Sequence, residues 1–319
     1  MNVLERANAV QELLRSSELS PEQVEALFEQ ARDRSYWRRV DPDCSIEGGA
    51  PATPVESDPL SGEEFARQLE QLQTQGYFKI EKLFDPALLE RMRVCVERLR
   101  AERWPPVFTY VYDEFWHIVR SPSLRRLLTG FFGTGYRQNS NVWTYYVAAV
   151  TGASGWPPHS DSDDRDSTAH ITTWIPLAEA TADNGCMYVI PRGSIPATVP
   201  PHWCDITSIT RDELRQMLQG TKALPAKPGA IMGWNHQLIH WGSIASGRTT
   251  PRISLGLEFT KDGTEPRPSE LPMLDSVALP AFEERLMSIG KGLLDYGRFE
   301  PAVNRFRKLG ARMWNDGRV

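Results

Sequence analysis

Five short runs with a period of two constrain this chain more than any other feature. From about residue 138 the segments "NVWTYYVAAV", "AHITTWIPL", "GCMYVIP", "GAIMGWN" and "RISLGLEFT" follow one another, separated by Gly, Pro, Asn and Asp. Alternation at every second residue places one set of side chains on each face of an extended strand. Short strands spaced in this way build a sandwich, a jelly roll or a barrel. The last run displays both faces. Ile253, Leu255, Leu257 and Phe259 fall on one, and Arg252, Ser254, Gly256 and Glu258 on the other. The polar face has two readings: it meets solvent, or it lines the inside of a barrel that holds a charged ligand.

The first third of the chain has a helical period instead. Ser20-Pro21-Glu22-Gln23 joins a cap, a proline at the first helical position and a Gln at N3 ahead of "VEALFEQAR". Ser61 and Glu64 predict a second capping box opening "GEEFARQLEQLQTQ", which Gly76 closes. "YFKIEKLF" reads as a strand, and Asp85-Pro86 starts the helix "ALLERMRVCVERLRAERW". Thr210 caps "RDELRQML", with Glu213 at N3 and Gly220 as a stop. Residues 41–60 are rich in Pro, Gly and Ser and read as a linker or surface loop. The expected organisation is a helical extension and linker over 1–60, one jelly-roll domain over 61–265, and a helical segment over 266–319 packed on that domain. A chain of 319 residues that is 40% hydrophobic can build such a core.

Composition excludes several classes of partner. The net charge is −5 and no basic stripe is visible, so nucleic acid is not expected. No apolar stretch approaches the roughly 18 residues of a membrane span. The start, "MNVLERANAVQELLRSSELS", is charged and helical rather than a secretion signal, which predicts a cytoplasmic protein. Cys44, Cys95, Cys186 and Cys204 form no CxxC pair and read as reduced thiols. A monomer or a homodimer acting on a small molecule is the expected form.

The candidate chemistry sits in "GWPPHSDSDDRDSTAHITTWIPL", residues 155–177. His159 and Asp161 stand at i and i+2, so in extended chain both side chains reach one ion. Two ligands hold a metal weakly, and a third must come from His170, His202, His236 or His240. His170 follows Asp161 closely and reads as a packing residue. His236 and His240 lie together in "GWNHQLIHWGS", just before the strand with Arg252. Two histidines and one carboxylate on one face of an octahedron form the facial triad of non-haem Fe(II) oxygenases and leave three positions open. The HExxH signature of zinc hydrolases is absent from the sequence.

On these residues, the segment from Gly76 to Phe259 resembles the phytanoyl-CoA dioxygenase-like family of Fe(II)/2-oxoglutarate oxygenases. The matching pieces, in order, are "GYFKIEKLFDPALLERM", "PPHSDSDD", "HITTWIPLAEATADNGCMYVIPRGS", "KPGAIMGWNHQLIHWGS" and "TTPRISLGLEF". The resemblance implies a mainly β fold with flanking helices: a double-stranded β-helix, jelly-roll or cupin-like, after an N-terminal helical region. It makes His159 and Asp161 the proximal iron ligands and His240 the distal one, with His236 as fallback. It gives Arg252 the far carboxylate of 2-oxoglutarate, two-pronged, with Ser254 adding a hydrogen bond and Trp174 lining the site. A further wall comes from Asn141, Trp143 or Tyr145. The implied reaction uses Fe(II), 2-oxoglutarate and O2, oxidises a C–H bond, and releases succinate and CO2. Halogenating relatives carry a small residue at the carboxylate position, so Asp161 implies hydroxylation, or desaturation, ring formation or epimerisation. Ile195, in "PRGSIP", stands where the family commonly has histidine, at a pocket-shaping position. Asp163, Asp164 and Asp166 read as surface acids or as contacts for a cationic substrate. Two rival readings are a jelly-roll metalloenzyme of another class, such as a cupin isomerase or hydrolase, and a non-catalytic ligand-binding relative. The aromatic stretch at residues 104–120 reads as core packing or as a pocket wall.

Overall fold

The computed structural model describes residues 18–153, 155–161, 168–199, 208–247, 250–297 and 300–317. The helices start where the caps place them. Helix α1 (Pro21–Arg32) and helix α6 (Arg211–Gly220) each carry a reciprocal capping box, from Ser20 with Gln23 and from Thr210 with Glu213. Helices α2 (Arg34–Val40), α3 (Gly62–Gln75), α4 (Pro86–Ala101) and α5 (Pro122–Phe132) lie between them in sequence. The box expected at Ser61 is one-sided. Ser61 accepts from the Glu64 backbone, but the Glu64 side chain turns along the helix to Gln68 and Arg67 instead. Helix α3 ends at Gly76 with φ of 86°, a left-handed value that favours glycine. Helix α6 runs through Gly220 and is capped by Thr221. Helices α7 (Phe282–Asp295) and α8 (Arg307–Asp316) close the chain.

Nine strands make two antiparallel sheets among the described residues. The larger has the order β1-β6-β3-β8-β2-β9 and the smaller β5-β4-β7. Their ranges are β1 Tyr77–Ile80, β2 Tyr136–Val147, β3 His170–Pro176, β4 Met187–Ile190, β5 Lys222–Leu224, β6 Ile231–Asn235, β7 Ile239–Gly242, β8 Arg252–Lys261 and β9 Met273–Leu274. A cluster of Trp174, Met187, Val189, Leu224, Met232 and Trp234 joins the two sheets, so they close on each other as a jelly roll. The outer face of the larger sheet belongs to the main core. Ile253, Leu255, Leu257 and Phe259 of β8 pack there with Ile171 and Ile175 of β3 and with the helices. Residues 104–120 join the same core through Val107, Phe108, Tyr110, Tyr112, Phe115 and Trp116, which makes them packing rather than pocket.

The C-terminal helices are seated closely. Helix α7 lies on β2 at Gly292, where an added Cβ would stand 2.7 Å from the carbonyl oxygen of Val142. Helices α7 and α8 cross at Gly290 and Gly310, where a Cβ added at either would stand 2.8 Å from the other's carbonyl oxygen. Beneath α7, Arg285 reaches the buried carboxylate of Asp113 at 2.6 Å and donates to the carbonyl of Val111 at 2.9 Å. The 2.6 Å contact is not aligned as a hydrogen bond, so it acts as a buried ion pair.

Gly292→Ala should destabilise the protein by about 1–3 kcal/mol, because a methyl group there must push the helix off the sheet. A thermal melt of the variant checks this; an unchanged midpoint would mean that the helix does not bear on β2 at this point.

Candidate active site

Three side chains from two chain segments converge inside the roll. His159 and His240 face each other across a short antiparallel bridge, with His159 N donating to His240 O at 3.1 Å and His240 N to His159 O at 2.9 Å. This bridge brings the loop before β3 against strand β7. Both imidazoles are then fixed in the same sense. Nδ1 of His159 lies 2.7 Å from the Pro157 carbonyl, and Nδ1 of His240 lies 3.0 Å from the Leu238 carbonyl. A carbonyl can only accept, so each Nδ1 carries its proton and each Nε2 presents a lone pair. Each Nε2 stands 3.5 Å from Oδ1 of Asp161.

The carboxylate is oriented too. Oδ2 of Asp161 accepts from Thr172 Oγ1 at 2.8 Å and from Trp234 Nε1 at 2.9 Å, which turns Oδ1 toward the histidines. The three donor atoms lie within 4.8 Å of one another. Neighbouring ligands of an octahedral ion stand about 3 Å apart, given bonds of about 2.1 Å. The cluster therefore fits a divalent first-row ion with two nitrogen ligands and one oxygen ligand, and His159 Nε2 is buried without a hydrogen-bond partner of its own. His236 is not in this cluster; its ring stacks on His170 at 4.9 Å. His170 itself is buried beside Thr260 and Glu270. His202 and Asp163, Asp164 and Asp166 lie outside the described residues.

Electrostatics separate the three groups. Burial pushes His240 down to about 4, so it is neutral at physiological pH. Burial alone would raise the Asp161 carboxyl, but His240 and His159 beside it hold it well below the usual carboxylate range. Burial also disfavours charge on His159, yet its contact with Asp161 outweighs this and leaves His159 above the ordinary histidine value.

Arg252 occupies the far end of a narrow cavity that His159, His240, Tyr145, Trp174 and Met187 also line. It is 2% exposed. Among the described residues no carboxylate lies within salt-bridge distance of it. Nη1 donates to the Gly185 carbonyl at 2.9 Å, while Nε is buried with no partner. Burial pulls the guanidinium down to about 10. The side chain lies between the rings of Tyr145 and Trp174, at 5.9 and 5.7 Å from their centroids. Glycines make room around it: a Cβ at Gly242 would meet Gly155 Cα at 2.9 Å and Arg252 Nη1 at 3.4 Å. Ser254 is wholly buried one inward position along β8, and its hydroxyl also lacks a partner. A second opening of about 490 Å³ reaches Arg252 past Gly155 and Glu300.

Asn141 is not on this side. Strand β2 has a bulge between Gln138 and Val142, so Tyr145 pairs with Ser254, beside Arg252. Asn141 lies four residues back, about 13 Å along the strand. There its amide meets Asp295 at 3.4 Å and Lys291, both from helix α7. Tyr145, not Asn141, is the β2 residue that lines the Arg252 cavity. Thr172, Trp234, Trp156 and Glu300 also reach the site, and the sequence patterns gave no sign of them. Thr172 and Trp234 lie on strands whose alternation was visible, but nothing in the spacing pairs them with Asp161.

A jelly roll with a two-histidine, one-carboxylate cluster beside a buried arginine defines the class of protein. The resemblance to the phytanoyl-CoA dioxygenase family is borne out: residues 109–247 match the family model described as Phytanoyl-CoA dioxygenase (PhyH). That match includes His159, Asp161 and His240 and ends before Arg252. No curated protein matches the chain. Among solved structures, the fold is similar to the epimerase SnoN in complex with Fe3+, alpha ketoglutarate and nogalamycin RO, at a TM-score of 0.51 and 15% identity, covering 69% of this chain and 97% of that one. It is similar also to the non-heme monooxygenase ThoJ in its nickel complex, at 0.51 and 17% identity, covering 77% of this chain and 99% of that one. The fold is thus the jelly roll expected from the sequence, and the family match supports an oxygenase-type function.

A divalent ion competes with a second proton for Nε2 of His159, whose titration lies above the ordinary histidine value, so metal uptake should weaken as pH falls through it. Calorimetry of Co(II) binding to the metal-free protein, in buffers of different ionisation enthalpy, should show proton release near neutral pH. Uptake that is independent of pH from 8 down to 5, about three units across the ordinary histidine range, would contradict this.

Proposed function

We propose that the protein is an Fe(II)- and 2-oxoglutarate-dependent dioxygenase that hydroxylates an unactivated C–H bond of a small molecule, with succinate and CO2 as co-products. One observation carries this reading: a buried arginine with no carboxylate partner among the described residues shares a narrow cavity with the two histidines that point their Nε2 atoms at Asp161. A zinc hydrolase or cupin isomerase would use the histidines but has no need of that arginine. The SnoN structure, similar in fold, holds Fe3+ and alpha ketoglutarate.

In this reading His159, Asp161 and His240 hold the iron. Arg252 pairs with the far carboxylate of 2-oxoglutarate, and Ser254 offers its unpartnered hydroxyl along the same inner face. When bound, iron and cosubstrate supply the oxidising power of O2, coupled to decarboxylation of 2-oxoglutarate. The chain's own contribution is placement. The Pro157 and Leu238 carbonyls hold the imidazoles in the ligating tautomer. Thr172 and Trp234 hold one carboxylate oxygen so that the other faces inward. Trp174 and Tyr145 confine the guanidinium, and burial of the cavity strengthens every charge interaction made there. Residues 61–265 form the catalytic domain in this reading. The described residues before 61 add Val24, Phe28, Trp37 and Ile46 to the same main core, and the described residues after 265 pack on the domain and supply part of the cavity walls. No described helix is long and apolar enough to cross a membrane.

Arg252→Ala should raise the 2-oxoglutarate requirement about a hundredfold or more, because removing one partner of a buried charge pair costs about 3–5 kcal/mol. Lys at this position should rescue only partly, since a point charge cannot reproduce the two-pronged geometry. Succinate release as a function of 2-oxoglutarate concentration measures both, and an unchanged requirement in the Ala variant would place the cosubstrate elsewhere. His240→Ala should abolish iron binding and turnover while His236→Ala keeps its iron; the reverse result would overturn the ligand assignment.

A further inference from the structure

On the side of the triad away from Arg252 lies a larger and more polar cavity of about 680 Å³. His159, Ser160 and Asp161 form one wall of it, and Glu258, His236 and Tyr296 form another. Resting on the oxygenase reading above, we propose that this cavity takes the primary substrate and selects one with a positively charged nitrogen, held by the Glu258 carboxylate.

Glu258 is half-buried, on the same inner face of β8 as Arg252, and lines the cavity. Its two partners are neutral donors: Tyr296 Oη at 2.8 Å on one oxygen and Asn139 Nδ2 at 3.2 Å on the other. Among the described residues no cation reaches salt-bridge distance. Burial disfavours charge on its carboxyl and raises it above the ordinary value, and a cation placed beside it would oppose that shift. Buried carboxylates are stable as anions when a cation pairs with them. The same wall offers a second unmatched atom. His236 is 6% exposed, and its Nε2 is buried with no hydrogen-bond partner. A substrate ammonium or guanidinium has several N–H donors, enough to meet Glu258 and His236 together.

The charges around the cavity are mixed, and their placement matters. Asp295 and Glu270 line it as well. Of its two arginines, Arg307 is exposed and Arg267 half-buried. Lys291 lies behind the wall, its Nζ engaged by Ser140 and Asn141. The cavity therefore presents the Glu258 carboxylate in the space it shares with the triad and the Arg307 guanidinium toward solvent. A substrate nitrogen anchored at Glu258 leaves the carbons next to it alongside the triad, which shares that cavity.

Calorimetry on the metal-free full chain tests this with L-arginine against L-citrulline, which differ in charge but hardly in shape, and with L-lysine against L-norleucine, which lacks the terminal nitrogen. Agmatine, which lacks a carboxylate, separates the contact at Glu258 from that at Arg307. The charged member of each pair should bind about tenfold more tightly or better, as a hydrogen bond to a charged group allows. Glu258→Gln should bring the charged member down to the level of its neutral counterpart. The wild-type comparison stands even if that variant fails to fold, which its melting temperature reports. Equal binding within each pair, tighter binding of the neutral members, no binding of any cation, or a preference kept in a folded Glu258→Gln would overturn the proposal. These outcomes leave the oxygenase reading untouched. That reading fails separately if the iron-loaded protein releases no succinate from 2-oxoglutarate with any substrate.

Discussion

On strand β8 the apolar residues face outward under the helices, so the polar ones are forced into the interior. Ile253, Leu255, Leu257 and Phe259 are all in the main core. Arg252, Ser254 and Glu258 alternate with them and have no access to the outer surface of the sheet. A strand has only two faces, and a shift by one residue would bury the charges under helices and expose the aliphatic set to the cavity. Core packing thus holds two opposite charges at fixed places along one line, with Gly256 between them. The glycine is needed there, since a Cβ would stand 2.8 Å from the ring of Tyr145.

The triad depends on that frame but is tuned by the backbone. Neither imidazole is oriented by a carboxylate. Both are oriented by main-chain carbonyls two residues before them, Pro157 for His159 and Leu238 for His240. Such acceptors carry no net charge, so they set the tautomer without adding to the negative charge at the site. Asp161 receives the two side-chain donors instead. The division keeps one full charge at the cluster, enough to attract a divalent ion.

Much of this was legible in the sequence because it is local or strictly periodic. The pair His159 and Asp161 needs only two positions of extended chain, and Arg252 with Ser254 needs only alternation. The caps of α1 and α6 are likewise four-residue signals. What was not legible depends on irregularity or on distant contacts. Alternation left Asn141, Trp143 and Tyr145 open as the β2 wall, and only the register that follows the bulge, with Tyr145 opposite Ser254, puts Tyr145 there. The approach of Cys44, Cys95 and Asp41, whose ligand atoms lie within 4.8 Å of one another, joins residues that no spacing relates. The tail gave no pattern that placed Asp295, Tyr296 and Glu300 at the site, because their positions follow from how α7 lies on β2.

That seating on glycine has a consequence for how such a protein diversifies. Helix α7 rests on the sheet through bare backbone at Gly292, and on α8 through Gly290 and Gly310. Contacts of this kind make no demand on the identity of neighbouring side chains. The glycine seating does not depend on the residues at the end of α7 that look into the large cavity, though Tyr296 among them also packs on Trp143 and Trp156. A change of a few letters near the C-terminus would therefore alter the wall of the large cavity while leaving the glycine seating of the helix in place.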